Sequence, residues 1–233
     1  MKAVIGTTIA VVLLLAASIV SARDWPTRPV RILVGSAPGG IADSVAHAIA
    51  DQLGPMLKQA VFVENKPGRW NTLAAEATAK STDGHTLELG IGAAHTIVPH
   101  LLPIGYNGNR DLVPVVFVGD IPNVQVVSHG SHIDSLQKLI ELSDVPTVAE
   151  AGAPDVEISA WYGIYMPASA PKSVQDTVHD TISTVLKTPA LVARLHSIGA
   201  EITPMTQLQF MAFHAARYQR YGNIIRKNHI RLD

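Results

Sequence analysis

Cysteine is absent from all 233 residues. That excludes disulfides, thiol nucleophiles and a lipid-attachment site together. Excess charge is missing too, with 18 Lys and Arg set against 19 Asp and Glu. Such a balance offers no electrostatic footprint for nucleic acid or an anionic membrane, and no nucleic-acid partner is expected. After the first 22 residues no apolar stretch recurs at the length of about 20 residues that spans a bilayer. Catalytic signatures are also lacking. There is no Gly-x-Ser-x-Gly elbow, and Gly90-Ile91-Gly92-Ala93-Ala94-His95 departs from the dinucleotide pattern at its last position, so no enzyme activity and no cofactor are expected. His129, His132 and Asp134 have a spacing that a metal could use, but no fourth ligand accompanies them and a polar loop explains them as well. Ser44 and His47, three residues apart on a predicted helix, read as an incidental pair.

What is present begins with an export signal. Met1 and Lys2 lead into an uncharged apolar stretch, Ala3 to Val20, that ends in Val20-Ser21-Ala22. Small residues at that point suit a signal peptidase, so residues 1–22 read as a signal peptide and the mature chain as starting at Arg23. An uncleaved anchor is the alternative, because the stretch is about as long as a membrane span. Without Lys2 the chain keeps 17 basic residues against 19 acidic. A chain of this size buries roughly 70% of its extended surface, enough for one good core or two small lobes.

The most informative segment is RPVRILVGSAPGGIADSVAHAIADQL, residues 28–53. Ile32, Leu33 and Val34 form the apolar run of a strand covered on both faces. Ala42, Val45, Ala46, Ile49 and Leu53 then recur at helical spacing. The Pro-Gly-Gly join lets Gly39 and Gly40 turn tightly, and the first helical turn adds N–H donors with no helical partner and a partial positive charge. Such a corner suits a carboxylate or phosphate.

Farther on, strands and helices alternate, which predicts a mainly parallel sheet with helices on its faces. Strands are expected at 59–65 and 85–92, a helix at about 72–80, and a turn at Ala93-Ala94-His95. Residues 111–129 read as a long extended segment whose Pro114 and Pro122 mark edges or bends. A helix at 134–142 and a strand at 156–168 follow. Pro171 opens a helix with Val174, Val178, Ile182, Val185 and Leu186 on one face. A short helix is predicted at 189–198 and a last one at about 207–228, burying Leu208, Met211, Ala215, Tyr218 and Ile225. The opposite face carries Arg217, Arg220, Arg226 and Lys227, the pattern of a solvated face with cations near a helix C-terminus.

Five stretches then form a recognisable series: WPTRPVRILVGSAPGGIAD, VFVENKPG, LGIGAAHTIVPHLLP, VPVVFVGDIPNVQVV and DVPTVAEAGAPDVEISAWYGIYMPASAPK. Together, and in order over nearly all of the mature chain, they resemble the substrate-binding receptors of tripartite tricarboxylate transporters, the Bug family. The resemblance implies an α/β fold of the periplasmic-binding-protein type II. It also implies a periplasmic location, a small carboxylate as ligand, and delivery to a membrane permease of the tripartite tricarboxylate type. One departure matters most. After 134–142 the chain passes at Ser143-Asp144 directly into PTVAEAG, where family members insert most of a second lobe. The expected organisation is therefore one nearly complete lobe, 23–122 with 145–233, and a truncated second lobe surviving as a remnant at 123–144.

Carried over residue by residue, the family's site leaves two loops. The first is Ser36, Ala37, Pro38, Gly39, Gly40 and Asp43, where the resemblance implies backbone N–H groups holding a carboxylate. The second is Gly92, Ala93, Ala94 and His95. Asp43 could accept from a ligand hydroxyl or amine, or simply offset the helix dipole. His95 could face the cleft or sit in the core. Arg69-Trp70 replaces small, Gly-rich sequence beside the cleft, and Ala170 stands where a Thr commonly caps the next helix, a loss of roughly 1 kcal/mol. Micromolar affinity requires about 8 kcal/mol, and pockets that reach it enclose roughly 70–90% of the ligand. A helix terminus gives an anion at most about 2 kcal/mol, so an open half cleft is expected to bind weakly. The alternative is a degenerate, non-binding paralogue that acts at most as an interaction protein.

Overall fold

The computed structural model describes residues 25–121, 129–131 and 160–232. The signal-peptide reading of residues 1–22, the predicted helix at 134–142, His132, Asp134 and nearly all of the 123–144 remnant lie outside these residues. Among the described residues no group of His, Asp or Glu is arranged to hold a metal. No helix among them is long and apolar enough to cross a membrane.

The chain order is β1 (Val30–Val34), α1 (Ile41–Leu57), β2 (Val61–Asn65), α2 (Thr72–Ala79), β3 (Thr86–Ile91), α3 (Gly92–Thr96), α4 (Gly108–Asp111), β4 (Leu112–Ile121), β5 (Ala160–Pro167), α5 (Lys172–Val185), α6 (Pro189–Ser197) and α7 (Gln207–Lys227). The strands form one five-stranded sheet in the order β2-β1-β3-β5-β4. β1 pairs in parallel with β2 and β3, as the alternating pattern predicts. β5, however, runs antiparallel to both β3 and β4, so the sheet is mixed rather than mainly parallel. The cause is the re-entry point. Ala160 pairs with Ile121, so the chain comes back beside the place it left and must run the opposite way. β4 is the outer strand, and its ladder shifts register between Pro114 and Val116, where the missing proline N–H cannot serve a central ladder.

Helices cover both faces, which explains why β1, β4 and β5 are largely apolar instead of strictly alternating. On one face Ala42, Val45, Ala46, Ile49 and Leu53 of α1 are buried, together with Val178, Ile182 and Val185 of α5 and Leu191 and Leu195 of α6. They pack on Ile32, Leu87, Ile164 and Met166. The other face is aromatic, with Phe117, Trp161 and Tyr165 meeting Ala75 of α2 and Phe210 of α7. Phe210 meets Phe117 edge to face at 5.5 Å between centroids and Trp161 at 5.8 Å, a geometry that adds to simple area burial.

These rings correct the expected seam of the last helix. Leu208 is 79% exposed and Met211 40%, while the buried residues are Phe210, His214, Tyr221, Gly222 and Ile225. The wider rings outcompete the aliphatic set for the sheet face, rotating the helix away from the Leu208-Met211-Ala215 stripe. Arg217 is not simply solvated, since its guanidinium lies 5.1 Å from the centre of the Phe213 ring. A capping box at Thr206 and Gln209 fixes where the helix starts. The turn expected at Ala93-Ala94-His95 is a short helix instead, closed by Thr96 Oγ1 donating to Gly92 O at 2.7 Å.

Phe210 has no exposed surface. Phe210→Ala is expected to cost about 3–5 kcal/mol, the usual range for emptying a buried aromatic site. Urea denaturation of the two proteins measures this difference, and a loss under 1 kcal/mol contradicts the central place given to this ring.

Candidate ligand-binding site

The C-terminal ends of β1 and β3 lie side by side, because these strands pair in parallel. The loops that follow them therefore open on the same edge of the sheet, the edge where α/β folds commonly bind ligands. Ile121, at the end of β4, and Ala160, at the start of β5, belong to this edge as well, since Ile91 pairs with Tyr162 and Ile121 with Ala160. The chain thus departs and returns beside both loops.

The first loop, Ser36 to Gly40, is held by Asp43. Gly39 N donates to Asp43 Oδ2 at 2.8 Å and Asn65 Nδ2 donates to Oδ1 at 2.8 Å. Asn65 Nδ2 also reaches Ser36 O at 3.1 Å. Burial by itself would raise the Asp43 carboxyl, but the Gly39 N–H, the Asn65 amide and nearby His47 outweigh it and hold the group below the usual range. Asp43 is thereby occupied as a loop clamp, and the Gly39 N–H is already taken. The donors left at this corner are those of the first turn of α1, whose cap residue Gly40 supplies no side chain. The Ser36 hydroxyl is enclosed and has no hydrogen-bond partner among the described residues. Gly39 takes a positive φ of 80°, which glycine adopts without cost. Ala37 and Pro38 are exposed at the loop tip.

In the second loop Ala93 is exposed, whereas Gly92, Ala94 and His95 are buried. A Cβ at Gly92 would overlap the Trp161 ring, so the backbone here lies directly on the indole. His95 belongs to the core and not to the open edge. It is 1% exposed, its Nε2 lies 3.1 Å from Glu88 Oε1, and its ring stacks on Tyr165 at 4.0 Å with the planes 5° apart. The second loop accordingly presents backbone to the edge and sends its imidazole inward.

A third turn joins them. Arg69, Trp70 and Asn71 all have left-handed backbones, with φ of 46°, 58° and 69°. For residues with a Cβ this costs roughly 1 kcal/mol or more apiece, which is the physical reason a Gly-rich stretch would fit here more easily. The turn is pinned at both sides. Arg69 Nη2 donates to Pro103 O at 2.7 Å, and the Asn71 backbone crosses Gly35 so closely that a Cβ there would lie 2.6 Å from Asn71 O. Trp70 is 64% exposed.

Several participants were not legible as such in the sequence. Asn65 lies within VFVENKPG but was assigned no role there, and Glu88, Tyr106 and His214 lie scattered over β3, a turn and α7. An acid within a largely apolar strand, Glu88 in TLELGI, is the signal that could have found them and was not used. Burial, followed by the charge of His95, pushes His214 down to about 3.

The fold, a mixed five-stranded sheet covered by helices, is of the periplasmic-binding-protein kind. Residues 45–143 and 137–230 match the model of the tripartite tricarboxylate transporter family receptor. The chain belongs to that family, and the family is one of receptors, not of enzymes. Protein BugT of Bordetella pertussis is 42% identical over 124 residues, covering 52% of this chain and 38% of that protein. The chain thus spans less than half the length of the first curated relatives it matches. An Agrobacterium vitis protein from the ttuE-ttuC' intergenic region is 24% identical over 292 aligned positions, with 87% of this chain and 83% of that protein covered. Since 292 exceeds the 233 residues of the whole chain, that relative carries stretches without a counterpart here. Among solved structures, Rhodopseudomonas palustris Rpa4515 with adipate superposes with a TM-score of 0.76 at 21% identity, covering 90% of this chain and 100% of that one. MatC of the same organism with bound malate gives 0.69 at 20%, covering 86% and 100%. At these identities the superpositions establish the fold alone.

Two outcomes test the site. Because the folded Asp43 carboxyl lies below its ordinary value, its stabilising effect is present above about pH 4 and is lost as pH falls through the folded value. The urea stability gap between wild type and Asp43→Ala, expected at about 1–3 kcal/mol at pH 7, should stay constant down to that point and shrink below it. His214 follows the same sign for a different reason. Its imidazole remains neutral in the fold while the unfolded chain takes up a proton below about pH 6.5, so stability drains as pH falls from there toward 3. His214→Phe should flatten the denaturation profile across that interval, and an unchanged slope contradicts the assignment.

Proposed function

We propose that this chain is an extracytoplasmic receptor for small carboxylates that feeds a membrane permease of the tripartite tricarboxylate type. The observation that carries the reading is the convergence of the two backbone-lined loops, Ser36 to Gly40 and Gly92 to Ala94, on one sheet edge beside the exit and return of the chain. The α1 N-terminus supplies donors and a positive field to one carboxylate. The Ser36 hydroxyl, rotating outward, adds a further donor, and Asp43 with Asn65 keeps the loop in shape. Support comes from family membership and from two neighbours of the same fold whose structures hold adipate and malate. Export through residues 1–22 and a periplasmic location belong to the same proposal.

Domain organisation bears on strength of binding. The two stretches that match the family model meet at residues 137–143, which supports a second lobe shortened at that point, with 23–122 and 145–233 as the discontinuous first lobe. A carboxylate on an open edge is enclosed on one side only, so affinity falls well short of the micromolar range. The short span relative to BugT favours a second reading, a paralogue that no longer binds and acts as an interaction protein.

Calorimetric titration with adipate, malate and citrate separates these readings. Saturable binding of at least one acid with a dissociation constant on the order of 1 mM, about 4 kcal/mol, is the expected result, weakened further by Ser36→Ala. No saturable heat for any of the three, together with an unshifted melting temperature, overturns the receptor reading in favour of the second. A micromolar constant overturns the half-open cleft.

A further inference from the structure

Beneath the second loop lies a chamber of buried polar side chains that the carboxylate site itself does not use. Glu88 of β3 and His95 of α3 are each 1% exposed, and His214 of α7 is 4%. Tyr106, from the turn before α4, and Tyr165 of β5 complete it. Five of their polar atoms have no hydrogen-bond partner among the described residues: Glu88 Oε2, His95 Nδ1, Tyr106 OH, Tyr165 OH and His214 Nε2. Groups sealed from water in this way are costly, and an apolar pair at positions 88 and 95 would pack at lower cost. An acid in this place therefore calls for a role of its own.

The geometry points to Glu88 as the positioning residue of the second ligand loop, an inference that rests on the receptor reading and deepens it. The five-residue helix α3, which carries Gly92 to Ala94, has no side-chain cap at its N-terminus. A helix this short has almost no stability of its own, so its direction comes from outside. His95 is the side chain that anchors it inward, and among the described residues Glu88 is the hydrogen-bond partner of the imidazole, at 3.1 Å through Nε2. The surroundings are shaped to fit. A Cβ at Gly90 would overlap His95 Nε2, so the strand leaves room for the ring, and Tyr165 stacks on its face. No other member of the chamber substitutes for Glu88. His214 is 6.3 Å from His95 between centroids and is held neutral by burial, while burial and the charge of Glu88 both push the Tyr106 and Tyr165 hydroxyls upward, so that these stay protonated. The carboxylate turns His95, His95 turns α3, and α3 aims the Gly92 and Ala93 backbone at the open edge.

Glu88→Leu and Glu88→Gln test this in the full chain, with hydrogen exchange read in peptides covering 92–98 and in β1 and α5 as references. Leu removes the bond and keeps the bulk. It should speed exchange in 92–98 at least tenfold more than in the references and lower the melting temperature, because the His95 imidazole is left buried without its partner. Gln retains an acceptor for His95 and should restore slow exchange. Equal exchange in wild type and Glu88→Leu overturns the proposal, as does uniform loosening of every peptide or a failure of Gln to rescue. Adipate titration of the same proteins adds the ligand side, with binding weakened at least fivefold by Leu and retained by Gln. If wild type takes up no adipate, the receptor reading fails while the exchange data still decide the role of Glu88.

Discussion

A missing pair of side chains at the centre of the sheet shapes most of this molecule. Gly90 of β3 and Gly163 of β5 face each other directly across the ladder. On the side where their Cβ atoms would project, the space is filled by His95 and Tyr165 at one glycine and by Phe210 at the other. The recess admits rings close against the backbone, which draws α7 onto the sheet through Phe210 and draws α3 down through His95. Trp161 extends the same layer beneath Gly92. One shallow hollow thus sets the docking of the last helix and the height of the second loop together. Interiors packed at crystal-like density transmit such constraints without slack.

Against this rigid layer the open edge is built from backbone. The first loop is shaped by Asp43 and Asn65, the second by the Trp161 ring and the His95 anchor, and the turn between them by three left-handed residues pinned at Gly35 and Pro103. Each loop spends its charged or aromatic side chains on holding itself still and offers main-chain groups outward. This division suits recognition of an anion by dipoles, because a fixed N–H needs no reorganisation when a carboxylate arrives. It also explains why Asp43 can sit close to such a site: its charge is absorbed by Gly39, Asn65 and His47 and does not stand free toward the opening.

Much of this was readable from the residues. The strand-turn-helix of 28–53, the apolar run of β3, and the spacing of Val178, Ile182 and Val185 map directly onto β1, α1, β3 and α5, because in each the periodic set is aliphatic and has one obvious face to bury. The last helix misled for the opposite reason. It carries two overlapping sets, and the choice between Leu208-Met211-Ala215 and Phe210-His214-Tyr221 depends on a hollow made by glycines far away in sequence. The antiparallel course of β5 was hidden because an apolar strand does not announce its direction. His95 admitted two orientations, and the choice rests on Glu88, seven residues earlier, and on the room that Gly90 leaves beside Tyr165. The left-handed geometry of Arg69 to Asn71 is likewise imposed by neighbours rather than by local preference, which runs against it.

Ile121 and Ala160 are ladder neighbours, so the sheet registers only the two ends of whatever joins them. Lengthening a connection between fixed ends is cheap, about 0.6 kcal/mol for each doubling of a flexible segment. Evolution or an engineer can therefore treat that junction as a socket, exchanging one insert for another to change what is recognised while the glycine hollow, the clamped corner and the core beneath them keep their form.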